Sequence, residues 1–182
     1  MVNIHKLSDT VWHIERFIEE PNEVVKRINN WKEAENLDGS IKYLEAEKPL
    51  RIFLELKENI DKMSYIWLNE MDLNKATTNS NEIVAFQKKG PSKAISTHKD
   101  IVNGKSPVLS ILTYYSDNFE GGELVIPSLD ISIKPKAGDA IFITGDIEHA
   151  VTEIISGERI IGLLHFIDYP LGGNANYSQN TI

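Results

Sequence analysis

The chain has 182 residues, 41% of them apolar and 25% charged, enough for one hydrophobic core and too few for two independent ones. It contains no cysteine, which excludes a disulfide framework and any thiolate-held metal and leaves its five histidines and its carboxylates as candidate ligands. A net charge of −8 argues against a nucleic-acid partner, because phosphate binding needs a basic face.

In chain order, the first ten residues mix His5, Lys6, Ser8 and Asp9 with isolated apolar residues, so no secretory leader is expected there. No apolar run reaches membrane-spanning length, and a cytoplasmic location is the expectation. An apolar, β-branched stretch at 10–18 is followed by Pro21, which suits a first helical turn, and by Val24, Val25, Ile28 and Trp31 on one helical face. Residues 50–67 place Phe53, Leu56, Ile60, Met63 and Trp67 at spacings of three and four, which predicts a longer amphipathic helix. Both stripes read as core packing and are assigned no chemistry.

Beyond residue 80 the period falls to two. Short strands are predicted at 82–88, 107–116, 122–127, 131–134, 139–144, 149–155 and 158–167, separated by turn signals such as Gly90-Pro91, Asn103-Gly104, Gly121-Gly122 and Ala137-Gly138. This is the pattern of a β-sandwich or jelly roll. The expected architecture is therefore a single domain, mainly β with N-terminal helices, with helical support over about 1–80 and a β core over about 81–168. Residues 172–179 read as a loose terminus.

His98-Lys99-Asp100 follows a strand-like stretch, and residues two apart in extended chain project to the same side. An H-x-D tripeptide alone is weak. Downstream, His149 follows the 139–144 strand and supplies a second imidazole. Two imidazoles and one carboxylate form the facial ligand set of non-haem Fe(II) oxygenases, which leaves coordination positions open. A 2-oxo acid and O₂ can fill them. Ten residues further on, Arg159 opens an apolar strand. It is either a surface strand arginine or, given its Ile and Leu neighbours, an interior guanidinium that grips a carboxylate bidentately.

The ordered set of H-x-D, Tyr114-Tyr115-Ser116-Asp117-Asn118-Phe119-Glu120-Gly121-Gly122-Glu123-Leu124, Lys134-Pro135-Lys136-Ala137-Gly138-Asp139, His149 and Arg159 resembles the prolyl 4-hydroxylase-like 2-oxoglutarate/Fe(II) dioxygenases, closely over 82–167 and loosely before it. The resemblance implies a double-stranded β-helix, iron held by His98, Asp100 and His149, and 2-oxoglutarate anchored by Arg159. It also implies O₂ as cosubstrate, ascorbate as an accessory reductant, and release of succinate and CO₂ as an unactivated C–H bond is hydroxylated, with a prolyl residue of a peptide or protein as the preferred substrate. Other amino-acid side chains, a small molecule, or a cupin-like binding module without turnover stay open.

A strand tyrosine of the family helps to bind the cosubstrate carboxylate. Tyr114 matches it, sharing a face with Leu112 and Ser110, and Tyr115 ranks second as a candidate substrate contact. The family's Tyr-x-x-Gly reads Gln87-Lys88-Lys89-Gly90 here, so Gln87 is the corresponding cosubstrate candidate. Its tryptophan six residues past the anchor cation is His165, either a substrate contact or a hydrogen-bonded interior histidine. His5 and His13 read as structural or exposed, Asp139 as closing a turn, and Lys88, Lys89 and Lys93 as a solvated loop.

Overall fold

The computed structural model describes residues 2–28, 32–35, 41–44, 81–101, 104–144 and 146–166. Antiparallel pairing builds an eight-stranded sheet from β1 (Asn3–Lys6), β2 (Val11–Glu15), β11 (Ala140–Thr144), β7 (Leu109–Tyr114), β14 (Arg159–Phe166), β5 (Asn81–Lys89), β4 (Ile41–Leu44) and β3 (Lys32–Glu35), in that spatial order. A second sheet runs β10 (Ile131–Ile133), β9 (Leu124–Ile126), β12 (His149–Val151) and β6 (Ile95–His98), and β13 (Ile154–Gly157) pairs with β8 (Phe119–Gly121) in a ribbon.

The period-two pattern decides what each face carries. Leu112, Tyr114, Ile141, Ile143 and Ile161 of the large sheet pack against Leu124, Ile126, Ile133 and Val151 of the smaller one. The alternate residues Leu109, Ile111, Phe142, Leu164 and Phe166 face outward and join Trp12, Ile14 and Phe17 in a second apolar cluster. Every residue of β7 and β11 is buried, as expected of strands covered on both faces. The architecture is the expected jelly roll, with two antiparallel sheets enclosing one core.

The N-terminal part differs from the expected helical support. The helix α1 (Pro21–Ile28) forms as read, with Pro21 opening it and Val24 and Ile28, four apart, buried on Phe86, Tyr115 and Ile160. The same part of the chain also supplies four strands, β1 to β4, to the two edges of the large sheet. In β2 the buried residues Val11, Trp12 and Ile14 complete both apolar faces beside β11, so packing against an existing sheet edge decides the conformation there. Trp31, the 50–67 helix and the 172–179 terminus lie outside the described residues.

One predicted strand is subdivided, and β8 forms where no strand was expected. The 149–155 segment changes partner after Val151, where Gly122 N–H donates to Glu153 O at 2.9 Å, and it continues as β13 on β8. The chain between β8 and β9 turns through Gly121 and Gly122 at φ of 74° and 65°. A Cβ on Gly121 would lie 1.9 Å from Glu153 O, so only glycine fits that crossing.

Asp139 closes the turn before β11 and ties β2 to it. Its carboxylate accepts from Lys136 N–H at 3.0 Å and Arg16 N–H at 3.4 Å, and lies 2.9 Å from His13 Nε2. Burial pushes this carboxyl's pKa up, but the hydrogen bonds from His13 and the two amides outweigh it, so the net shift is downward. The contribution of Asp139 to stability is therefore complete above its ordinary value of 3.8 and is lost as pH falls from there through the folded-state pKa. Asp139→Ala is expected to lose about 1–3 kcal/mol in urea unfolding at neutral pH and to show a shallower loss of stability below pH 4 than the wild type.

Candidate metal and cosubstrate site

His98 ends β6 and His149 begins β12, and the two residues sit directly opposite each other across that strand pair. Their rings are 4.6 Å apart between centroids. Each Nδ1 lies near a backbone carbonyl two residues back in its own chain segment, Ser96 O at 2.8 Å for His98 and Ile147 O at 3.2 Å for His149. That contact fixes Nδ1 as the N–H donor and leaves each Nε2 with a free lone pair, the arrangement a metal-binding imidazole needs. Asp100 follows β6, and its Oδ1 is 4.0 Å from His98 Nε2 and 3.6 Å from His149 Nε2. These separations are too long for hydrogen bonds, and the three ligand atoms converge within 4.8 Å of one another. His149 is buried and His98 half-exposed, so the cluster opens on one side.

Two further contacts organise the cluster. Lys99, between the His98 and Asp100 positions, pairs with Asp146 at 2.7 Å, and Ser106 Oγ donates to the same carboxylate at 3.2 Å. This links the two ligand-bearing segments at the surface. Deeper in, Ser110 Oγ donates to Asp100 Oδ2 at 2.8 Å and lies 2.9 Å from His165 Nδ1. His165 is thus an interior, hydrogen-bonded histidine next to the cluster. Its pKa is lowered by burial, a shift that the Asp100 carboxylate opposes and His149 adds to. Ser110 was not singled out from sequence for any role; the signal was its place two and four residues before Leu112 and Tyr114 on the inward face of β7.

Along the same inward face, Tyr114 and Gln87 both oppose Ile161, so the three form one row across β7, β14 and β5. Arg159 enters the barrel two residues before Ile161, with only 3% of its surface exposed. Its guanidinium carbon lies 5.5 Å from the centre of the Tyr114 ring. Among the described residues, Arg159 Nε and Tyr114 Oη are buried without a hydrogen-bond partner. Buried polar groups left in that state cost free energy. A cationic donor and a phenol side by side lack only an acceptor, and a carboxylate supplies one with the right charge and shape.

Tyr115 is placed elsewhere. It projects from the opposite face of the large sheet into the cluster of Val24, Ile28, Phe86 and Ile160, accepts from Thr113 Oγ1 at 3.0 Å, and is pushed up to about 12 by burial. Nothing brings it to the iron-type cluster, because neighbouring residues of a strand face opposite sides. His13 and His5 also lie away from the cluster, His13 on Asp139 and His5 on Glu15 at 3.6 Å. Lys88 pairs with Glu158 at 2.9 Å and Lys89 is buried, so these two belong to the β5 edge of the ladder; Lys93 is exposed.

The family model of the 2OG-Fe(II) oxygenase superfamily matches residues 83–166, the span that holds every residue of the two clusters. Over that span the chain is similar to the 2OG-Fe(II) oxygenase superfamily. Among curated proteins none matches the sequence. Solved structures do match in fold. A viral collagen prolyl hydroxylase from Paramecium bursaria Chlorella virus-1, in its 2OG complex, superposes with a TM-score of 0.63 at 20% identity, over 86% of this chain and 94% of that one. A Pseudomonas putida prolyl-4-hydroxylase gives 0.61 at 13% identity, over 88% and 94%. A Trichoplax adhaerens prolyl hydroxylase, solved with a hypoxia inducible factor peptide fragment, gives 0.68 at 14% identity, over 88% and 84%. At these identities the likeness establishes the fold.

The residues gathered here fit the metal and cosubstrate that the name of the matching superfamily states. Two Nε2 lone pairs and one carboxylate oxygen suit Fe(II), and the unpartnered donors of Arg159 and Tyr114 suit the far carboxylate of 2-oxoglutarate. Among the described residues no helix is long and apolar enough to cross a membrane. A divalent ion such as Mn(II), supplied at 100 times its Kd, is expected to raise the unfolding free energy by about 2.7 kcal/mol. In His149→Ala, thermal unfolding should no longer respond to the ion while the apo-protein stays folded.

Proposed function

We propose that this chain is a 2-oxoglutarate- and Fe(II)-dependent hydroxylase acting on an unactivated C–H bond of a peptide-borne side chain, with a prolyl residue as the first substrate class to test. The observation that carries the reading is the paired unsatisfied donors of Arg159 and Tyr114, buried on the same inward face as Ser110 and His165, which border the His98, Asp100 and His149 cluster. A metal-binding module without turnover gives no reason for a second, anion-ready cluster in the same barrel.

His98, Asp100 and His149 would hold the iron. Arg159 would grip the distal carboxylate of the cosubstrate, Tyr114 would donate its phenolic proton to the same group, and the Gln87 amide, one row member further, would donate to a cosubstrate oxygen. When bound, iron and 2-oxoglutarate supply the oxidising power: 2-oxoglutarate leaves as succinate and CO₂, and one oxygen atom of O₂ enters the substrate C–H bond. Ile161 and Leu163 of β14, with Ile95 and Val151 of the smaller sheet, line the interior with apolar surface. That surface excludes water and strengthens the Arg159–carboxylate attraction. Ascorbate would serve as an accessory reductant.

The choice of prolyl peptide rests on neighbours in fold. The three structures named above are prolyl hydroxylases, and one holds a peptide fragment. Fold alone does not set substrate, and the pocket entrance decides among prolyl, other side-chain and small-molecule substrates. Anaerobic addition of Fe(II) and then 2-oxoglutarate should produce the weak visible absorption of the chelate; its absence in folded, metal-loaded protein would overturn the cosubstrate assignment. Arg159→Ala is expected to raise the 2-oxoglutarate concentration needed for half-saturation about 10- to 100-fold, the equivalent of one lost charge-assisted contact, with iron binding retained. A peptide and metabolite panel scored by succinate release and a mass gain of one oxygen identifies the substrate. Turnover confined to non-peptide substrates would refute the prolyl choice.

A further inference from the structure

Asp100 is the one member of the ligand cluster that no strand holds. It lies beyond the end of β6, and 23% of its side chain is exposed. A carboxylate in such a segment can turn, and it can meet a metal through one oxygen or through both. The difference matters for this reaction, because a chelating carboxylate takes one of the positions that a 2-oxo acid and dioxygen need. The contacts of the two oxygens are divided. Oδ1 faces the two imidazoles, whereas Oδ2 accepts from Ser110 at 2.8 Å.

Ser110 has a single hydroxyl proton. Since it is donated to Asp100, the 2.9 Å contact between Ser110 Oγ and His165 Nδ1 requires His165 to donate from Nδ1 to the serine oxygen. The two residues are direct cross-strand partners of β7 and β14, in the middle of the large sheet. Ser110 also opposes Ile143 of β11, and both polar residues are buried. The chain of contacts therefore runs from two rigid strands to a loop carboxylate. His165 Nδ1 also lies 3.9 Å from Asp100 Oδ2, on the side away from the imidazole nitrogens.

We propose that Ser110 and His165 are positioning residues that hold Asp100 to one-oxygen coordination, by committing Oδ2 to the Ser110 hydroxyl and fixing that hydroxyl through His165. This rests on the metal-centre reading above. It assigns Ser110 a role that its residue type does not advertise, and it gives His165 a task other than substrate contact.

The test uses Co(II) in place of Fe(II), read by visible absorption and titration without turnover. Ser110→Ala is expected to bind Co(II) about 10- to 100-fold more weakly than the wild type and to show an altered Co(II) spectrum as Oδ2 becomes free to chelate. Ser110→Thr, which keeps the hydroxyl, should restore both. His165→Phe removes the ring nitrogens and should shift the spectrum in the same direction as Ser110→Ala; it decides the matter if the alanine variant fails to fold, with thermal unfolding of each protein as the check. Wild-type affinity and spectrum in folded Ser110→Ala would overturn the positioning role while leaving the metal centre intact. If His149→Ala also binds Co(II) like the wild type, the metal-centre reading fails, and the positioning role with it.

Discussion

Strand β14 is covered on both faces, so its register with β7 and β5 governs where every polar residue of the site can lie. Arg159, Ile161, Leu163 and His165 point between the sheets, while Ile160, Leu164 and Phe166 point into the outer apolar clusters. A slip of one residue would drive Arg159 and His165 into apolar packing and turn Ile160 and Phe166 toward the cluster. Such a slip would bury a guanidinium among Val24, Ile28 and Phe86 with no counter-charge, a cost of several kcal/mol. The packing that stabilises the sheet is the same packing that aims the site.

Within that frame the barrel treats its buried polar atoms in two ways. Near the imidazoles they are satisfied: each Nδ1 has a carbonyl, and Asp100 Oδ2 has Ser110. Near Tyr114 they are not, and Arg159 Nε and Tyr114 Oη remain without acceptors. The contrast separates a cluster whose orientation is already set from one arranged around an anion. An unsatisfied donor costs about 1–3 kcal/mol; an incoming carboxylate removes that cost and finds its donors already placed, which is the meaning of preorganisation in a binding site.

The edge of the sheet is secured by a different device. Asp139 gathers His13, Lys136 N–H and Arg16 N–H, and Ile18 N–H donates to Gly138 O at 2.9 Å. These contacts hold β2 beside β11 and deliver the chain into α1, which covers Phe86, Tyr115 and Ile160. A histidine and an aspartate that might have been mistaken for further metal ligands thus belong to the architecture, far from His98 and His149 in role as well as in contacts.

Local sequence by itself determined β5, β7, β9, β10, β11, β12 and β14, the α1 start at Pro21, the glycine turns, and the choice of His98, Asp100, His149 and Arg159 as the residues with chemistry to offer. Each of these follows from short-range causes: period-two alternation, backbone conformations open only to glycine, and donor types that suit a metal or a carboxylate. Tertiary structure alone decided that β1 to β4 join the large sheet, that Tyr115 turns outward while Tyr114 meets Arg159, and that Ser110 and His165 converge on Asp100. Those outcomes depend on which strands become neighbours and in what register. Ser110 and His165 are 55 residues apart in the chain, and no local pattern records that they meet; the sheet brings them together because burying both faces of β7 and β14 admits only that alignment.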